Sequence, residues 1–306
     1  MANVLGGINL AQIAQQTLET LSAEMPVVSA FTTDFSSDVA DVGESVSTRV
    51  ATAVSAGDAT SGYSSSDVTS TAKTITLNKH KHFTAKFTDL EIAKGGLNML
   101  ERTFVRPAVH AVVNAMMDDL MALVTNANFT DEVVIAAANF GADDVADLAG
   151  DLTTKNVPKS DRALVIKPTY FSSLASDNAI QASYAYGNPD AIRDNVVPKV
   201  HGFNVYEYSD IPENQYSHTP EGGSAANYNL QGFACGPEAL LIAGRQPALP
   251  ENWAGAVESV QEPGTGVTLQ LRNWYEGKDG AQYITATMIY GVAVGTDSLK
   301  KIIVAD

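Results

Sequence analysis

The chain has 306 residues, 45% of them apolar and only 18% charged, so it can bury a sizeable core and is neither disordered, fibrous nor coiled-coil. Thirty-five acidic against nineteen basic side chains give a net charge of −16, which argues against tight nucleic-acid binding by phosphate neutralisation. A single cysteine, Cys235, excludes an internal disulfide; no apolar run nears the ~18 residues of a membrane helix, and Arg49, the first basic residue, comes too late for a secretory signal.

Residues 1–35 read as an N-terminal arm. Leu10, Ile13, Leu18 and Leu21 recur at helical spacing, and Pro26 ends the run. On this reading, deleting residues 1–30 leaves a folded core. Residues 36–87 are predicted to form an extended loop, with weak strand character at Val46–Val54 and a Gly/Ser-rich tip over Ala56–Ser66. Thr74–Phe87 then alternates, with Ile75, Leu77 and Phe83 on one face, as the second strand of a long hairpin. This loop has too little apolar surface to fold as a domain of its own.

Thr88-Asp89-Leu90-Glu91 has the pattern of a capping box. The helix it opens contains Gly95-Gly96 and is expected to break near Pro107, where a second helix starts. Val109, Val112, Met116, Leu120 and Leu123 then recur every three or four residues, predicting about five turns of amphipathic helix within residues 88–126. Val113, Met117 and Val124 widen the stripe, so more than one side is expected to pack.

Residues 127–265 turn to mixed α/β. Helices are predicted over Asp143–Thr153, Tyr170–Ser176 and Pro189–Asn195, and strands over Arg162–Lys167 and Phe203–Tyr208. Asn214–Asn229 reads as a polar loop, and Gln231–Ala243 as a strand with a turn at Pro237. Residues 266–306 are strand-rich, with a turn at Glu276–Gly280 between Val267–Leu271 and Gln282–Val294. The whole is expected to be one interleaved α+β domain carrying an arm and a loop.

Catalytic signatures are missing: there is no phosphate-binding loop, dinucleotide fingerprint, nucleophile elbow or zinc-protease motif. His80-x-His82 puts two imidazoles on one strand face, but Lys79, Lys81 and Lys86 would repel a cation. His110 is read as a packing or interface residue, and His201 and His218 as surface residues. Cys235, between Ala234 and Gly236, reads as a small buried side chain. The pairs Asp118-Asp119 and Asp143-Asp144 could suggest a carboxylate-based hydrolase. Neighbouring helix positions diverge by about 100°, however, so neither pair shares a face. The first reads as a solvated face and the second as a helix start.

Four passages, in order, carry a resemblance. They are Val42-Gly43-Glu44-Ser45-Val46 with Thr48-Arg49-Val50; Phe87-Thr88-Asp89-Leu90-Glu91 with its long helix; Gly202-Phe203-Asn204-Val205-Tyr206-Glu207-Tyr208-Ser209; and Gly232–Ala243 followed by Leu269–Val294. Together the sequence resembles tailed-bacteriophage major capsid proteins of the HK97-type fold, in the branch related to the phage P22 coat protein. The resemblance implies an N-terminal arm, an extended loop, a spine helix in a peripheral domain, a mixed axial domain over 127–265 and closing strands over 266–306. It also implies a structural protein of the virion with no enzymatic activity and no cofactor, assembled in the host cytoplasm as hexamers and pentamers around double-stranded DNA held non-specifically. Its implied partners are further copies of itself, a portal, a separate scaffolding protein and decoration proteins. Residues 1–30 are too short for a fused scaffold. The loop-tip residues Gly57, Asp58, Gly62 and Tyr63 are the implied assembly contacts, and Val109, Val112, Met116, Leu120 and Leu123 the spine core. Some family members weld subunits through a loop lysine; here the nearest to the tip is Lys73, so non-covalent shells are expected. An encapsulin-type cellular compartment is the alternative with the same fold.

Overall fold

The computed structural model describes residues 26–40, 42–51, 70–95, 97–180, 199–214, 216–219, 226–251, 253–262 and 266–305. A 3-10 turn (Pro26–Ala30) leads into strands β1 (Thr32–Ala40), β2 (Ser45–Ala51), β3 (Ser70–Thr76) and β4 (Lys79–Thr88), then helices α1 (Asp89–Gly95) and α2 (Leu97–Met121). β5 (Glu132–Val134), α3 (Ala142–Thr154), β6 (Arg162–Ile166), α4 (Pro168–Ala175), β7 (Lys199–Val200), β8 (Phe203–Glu207) and β9 (Tyr216–His218) follow. The remaining strands are β10 (Ala226–Cys235), β11 (Leu240–Pro247), β12 (Ala256–Gln261), β13 (Thr268–Glu276), β14 (Ala281–Val294) and β15 (Leu299–Ala305).

One sheet is organised around β14, a strand of 14 residues. Along one edge it pairs antiparallel with β4, from Ala281↔Thr88 to Tyr290↔Lys79. Its other edge is shared end to end by β13 and then β11. β12 flanks β13, and β1 runs parallel to β11. The second sheet has the order β5-β15-β10-β6-β8-β7, with β9 beside β10. β2 and β3 form a separate two-stranded hairpin.

Helix α2 lies across β4 and β14. Val109, Val112, Val113, Met116, Met117, Leu120, Met121 and Val124 are buried in a core shared with Leu269, Leu271, Ala286, Met288 and Tyr290. On the far side of the second sheet, Val145, Leu148 and Leu152 of α3 and Tyr170, Phe171 and Leu174 of α4 build a second core. The strands between alternate: Ala163 and Val165 enter the first core, Leu164 and Ile166 the second. A strand covered on both faces reads as an unbroken apolar run, which is why Arg162–Ile166 was visible in sequence.

Several expectations change. α2 runs for 25 residues through Pro107, because proline's fixed φ is helical and packing of the following turns offsets one lost hydrogen bond. Before Pro107, α1 is described to Gly95 and α2 from Leu97. Thr74–Phe87 is two strands rather than one, since the chain leaves the hairpin at Leu77 and enters the central sheet at Lys79. Within the expected arm, Val27, Val28, Ala30 and Phe31 are buried in the first core and Thr32 begins a strand, so deletion to residue 30 would strip core residues. Part of the expected polar loop at 214–229 forms β9 and the start of β10. The arm residues Leu10, Ile13, Leu18 and Leu21, and the helix expected at Pro189–Asn195, lie outside the described residues.

Candidate functional site: the hairpin root and the spine helix

The β2–β3 hairpin pairs from Ser45↔Thr76 to Ala51↔Ser70. Its base is closed by Gly43 N–H on Leu77 O and Leu77 N–H on Glu44 O, both at 2.8 Å. Gly43 has φ +104°, a conformation that side chains other than hydrogen oppose, so this entry turn requires glycine. Ile75 and Leu77, with Val46 beside them, pack on Leu241, Ala243 and Ile289 of β11 and β14. The approach is close enough that a Cβ on Gly291 would stand 2.2 Å from Thr76 O. Beyond that root, β2 and β3 pair with no third strand among the described residues. Val42, in the entry turn, is 57% exposed. The implied tip contacts Gly57, Asp58, Gly62 and Tyr63 lie outside the described residues.

A polar clasp ties the spine helix to the central sheet. Asp119 Oδ1 accepts from Lys79 Nζ at 2.6 Å, and its Oδ2 accepts from Tyr290 Oη at 2.5 Å. Tyr290 Oη also lies 3.1 Å from Ala115 O. Burial alone would raise the Asp119 pKa; the hydrogen bonds from Lys79 and Tyr290 win, and the carboxyl is held below its usual range. The Tyr290 phenol is pushed up, first by burial and then by Asp119. Asp118 faces outward and is raised by partial burial and by Asp210 and Asp119. Of the aspartate pair, then, one is on an exposed face and the other is half-buried and engaged. Val109, Val112, Met116 and Leu120 are buried, whereas Leu123 is half-buried in the turn after α2. At the start of α1, Glu91 accepts from both the N–H (2.9 Å) and the hydroxyl (2.8 Å) of Thr88, which lowers its pKa.

The remaining singled-out residues are spent on structure. His80 Nε2 meets Thr287 Oγ1 at 2.8 Å, and its pKa is lowered by burial, His82 and Arg272. His110 lies on the exposed side of α2 beside Asn114. His201 sits in a turn at φ +47° before Gly202. His218 departs from expectation: it is half-buried in β9 and hydrogen-bonds Glu132. Cys235 is fully buried, which pushes its thiol up to about 12 and leaves it unreactive. At the N-terminus of α3, Gly141 N–H bonds Asp144 (3.0 Å) and Ala142 N–H bonds Asp177 (2.8 Å), satisfying free helix donors. At its other end the buried Arg162 donates to Ala149 O, Val157 O, Pro158 O and Thr153 Oγ1. An open cleft of about 340 Å³ lies there, lined also by Lys159 and His201. The Arg162 guanidinium is already committed to three backbone carbonyls and the Thr153 hydroxyl, so it serves here as a capping charge. Among the described residues, no three His, Cys, Asp or Glu side chains gather as a metal site, and no helix is long and apolar enough to cross a membrane.

Neither a protein-family profile nor a curated protein matches the sequence. Solved structures do. The capsid structure of cyanophage P-SCSP1u is 15% identical, with 90% of this chain and 87% of that one covered at a TM-score of 0.57. The mature capsid of bacteriophage PhiM1 is 12% identical, covering 89% and 85% at 0.56. A virus-like particle from Pyrococcus furiosus is 10% identical, covering 96% and 100% at 0.53. At such identities the likeness is one of architecture: this chain has the HK97-type fold of tailed-phage capsid proteins.

Proposed function

We propose that this chain is a major capsid protein that assembles, as hexamers and pentamers, into the icosahedral head enclosing the DNA of a tailed phage. The observation that carries the reading is the hairpin. It is rooted on β11 and β14, and among the described residues it continues as only two strands; an isolated two-stranded hairpin is marginal in water. Its outer part gains partners when a neighbouring subunit supplies them. The loop tip, with Gly57, Asp58, Gly62 and Tyr63, is the proposed contact. The net charge of −16 suits a wall that faces packaged DNA without pinning it. A separate scaffolding protein, a portal and decoration proteins complete the proposed set of partners. The chain is proposed to act as a structural element of the virion, without enzymatic activity.

A second reading is a cellular compartment of the same fold. It is favoured by the match to the Pyrococcus furiosus particle, which extends over all of that chain. Electron microscopy of the purified protein, expressed alone and with its neighbouring reading frames, tests both. Closed uniform shells are expected, and soluble monomers or trimers under every condition would overturn both readings. Nuclease-protected DNA in native particles supports the phage head, and an enclosed enzyme supports the compartment.

A further inference from the structure

Lys301 lies within β15 with no exposed surface, its backbone N–H bonded to Asp131 O at 3.0 Å. Its ammonium group meets two side chains. Oδ1 of Asn126 is in direct contact with Nζ, and Oε2 of Glu132 lies 3.1 Å away. The second oxygen of Glu132 is held by Nδ1 of His218, whose ring stands edge-on to Tyr228 with centroids 4.9 Å apart. Four separate segments build this cluster: the turn after α2, β5, β9 and β15. Lys301 is fully buried and Glu132 half-buried, whereas Asn126 is exposed; Leu299 and Ile303, two positions to either side of Lys301 in β15, are buried in the first core. Asp131 also acts on the lysine through space, but is itself paired with Lys155 at 2.9 Å.

This arrangement brings a lysine amine, a carboxamide and a carboxylate together in a site from which the lysine has lost all its water. Burial lowers the Lys301 pKa more than Glu132 and Asp131 raise it. That shift makes the ammonium group easier to deprotonate than an exposed lysine, and Glu132 is the carboxylate in contact with it. His218 fixes the carboxyl so that its free oxygen stays on the lysine side.

We infer that Lys301 and Asn126 join in an isopeptide bond within one chain, with Glu132 as the catalytic residue that moves the proton. In the balanced step, Lys301 Nζ gives a proton to Glu132 and forms a bond to Cγ of Asn126. The Cγ–Nδ2 bond breaks as Glu132 relays a proton from the lysine nitrogen to Nδ2, and ammonia leaves. Ammonia departs as ammonium, Glu132 ends as carboxylate, and nothing is oxidised or reduced. The product ties β15 covalently to the turn after α2, closing a loop that contains β5 to β14. The bond lies inside one subunit and is therefore compatible with shells that fall apart into monomers on a denaturing gel.

The test is the intact mass of the full-length protein from assembled particles, measured after denaturation, with peptide mapping. A mass below that of the sequence by one ammonia is expected, together with a branched peptide joining the segments of Asn126 and Lys301 and no tryptic cleavage after Lys301. Lys301→Arg and Asn126→Ala should each return the full mass of their own sequence. Glu132→Gln, which keeps both reacting groups, should leave most chains unjoined. A wild-type chain at full mass, or an ammonia loss mapped to other residues, would overturn the bond. Joining of Glu132→Gln to the wild-type extent would overturn the role of Glu132. Because the readout concerns one chain, it stands or falls independently of whether the shell holds DNA or enzyme cargo.

Discussion

Replacing Leu120 by aspartate puts the largest calculable stress on the spine. Leu120 has no exposed surface and belongs to the core that α2 shares with β13 and β14. Removing a fully buried leucine side chain costs about 3–5 kcal/mol in comparable cores. The new carboxylate adds several kcal/mol, because Lys79, the cation on that side of the helix, already serves Asp119. The sum is of the order of the ~5–15 kcal/mol that holds a whole domain together. Leu120→Asp should therefore be recovered as insoluble or unassembled protein. Two controls isolate the cause. Leu120→Met conserves volume and should cost less than about 1.5 kcal/mol, and Ala111→Asp places the same charge on the exposed side of the same helix. Soluble yield, sedimentation of shells and urea unfolding of dissociated subunits give the readout. A soluble, shell-forming Leu120→Asp within about 1 kcal/mol of the parent would mean that the packing face of α2 is misassigned.

Gly291→Ala should lift β3 off β14, since the added Cβ would meet Thr76 O at 2.2 Å. Overpacking of this kind costs about 1–3 kcal/mol, read as a lower urea midpoint, whereas Gly150→Ala, with open space around it in α3, should stabilise by about 0.5–1 kcal/mol. The folded-state pKa of Asp119 is depressed, so its contribution to stability is present above the unfolded carboxyl value of about 4 and is lost as pH falls through the folded value. Urea midpoints measured from pH 6 to pH 3 should therefore fall less steeply for Asp119→Asn than for the parent. Deleting residues 1–25 should leave a cooperatively unfolding subunit that closes shells poorly, whereas deletion through Phe31 removes buried core and should yield insoluble protein. Normal particles from the shorter truncation would refute the role of the arm.

The spine helix was legible because its apolar residues recur at three and four, a pattern that survives whatever it packs against. β6 was legible as a short apolar run, and the β13–β14 hairpin from alternation around a glycine-containing turn. β1 and β12 were not, for a common physical reason. Thr-Thr-Asp-Phe-Ser-Ser-Asp-Val-Ala and Ala-Val-Glu-Ser-Val-Gln are polar edge strands, whose existence depends on a ready-made neighbour rather than on their own burial. β1 further depends on a parallel pairing with β11 that no local signal announces. Pro107 misled because helix-breaking propensity is a local cost that tertiary packing outweighs. The polar clusters were the least visible. Lys301, in Leu-Lys-Lys-Ile-Ile-Val, looks like an exposed strand lysine, and its partners Asn126 and Glu132 come from far upstream. His218 sits in a stretch whose composition is that of a loop, and only pairing with β10 turns it inward.

The position of β14 in the chain sets a timetable. β4, β11 and β13 all pair with it, and α2 rests on it, yet it is translated after every one of them. Until β14 is made, the hairpin root lacks Ile289, one of its buried partners, and the spine helix has β4 without the strand that pairs beside it. A nascent or prematurely terminated chain thus lacks the strand that holds the hairpin root and the spine helix in register. On the function proposed above, docking competence would be withheld until synthesis has passed residue 294, so that incomplete subunits are not built into a growing shell.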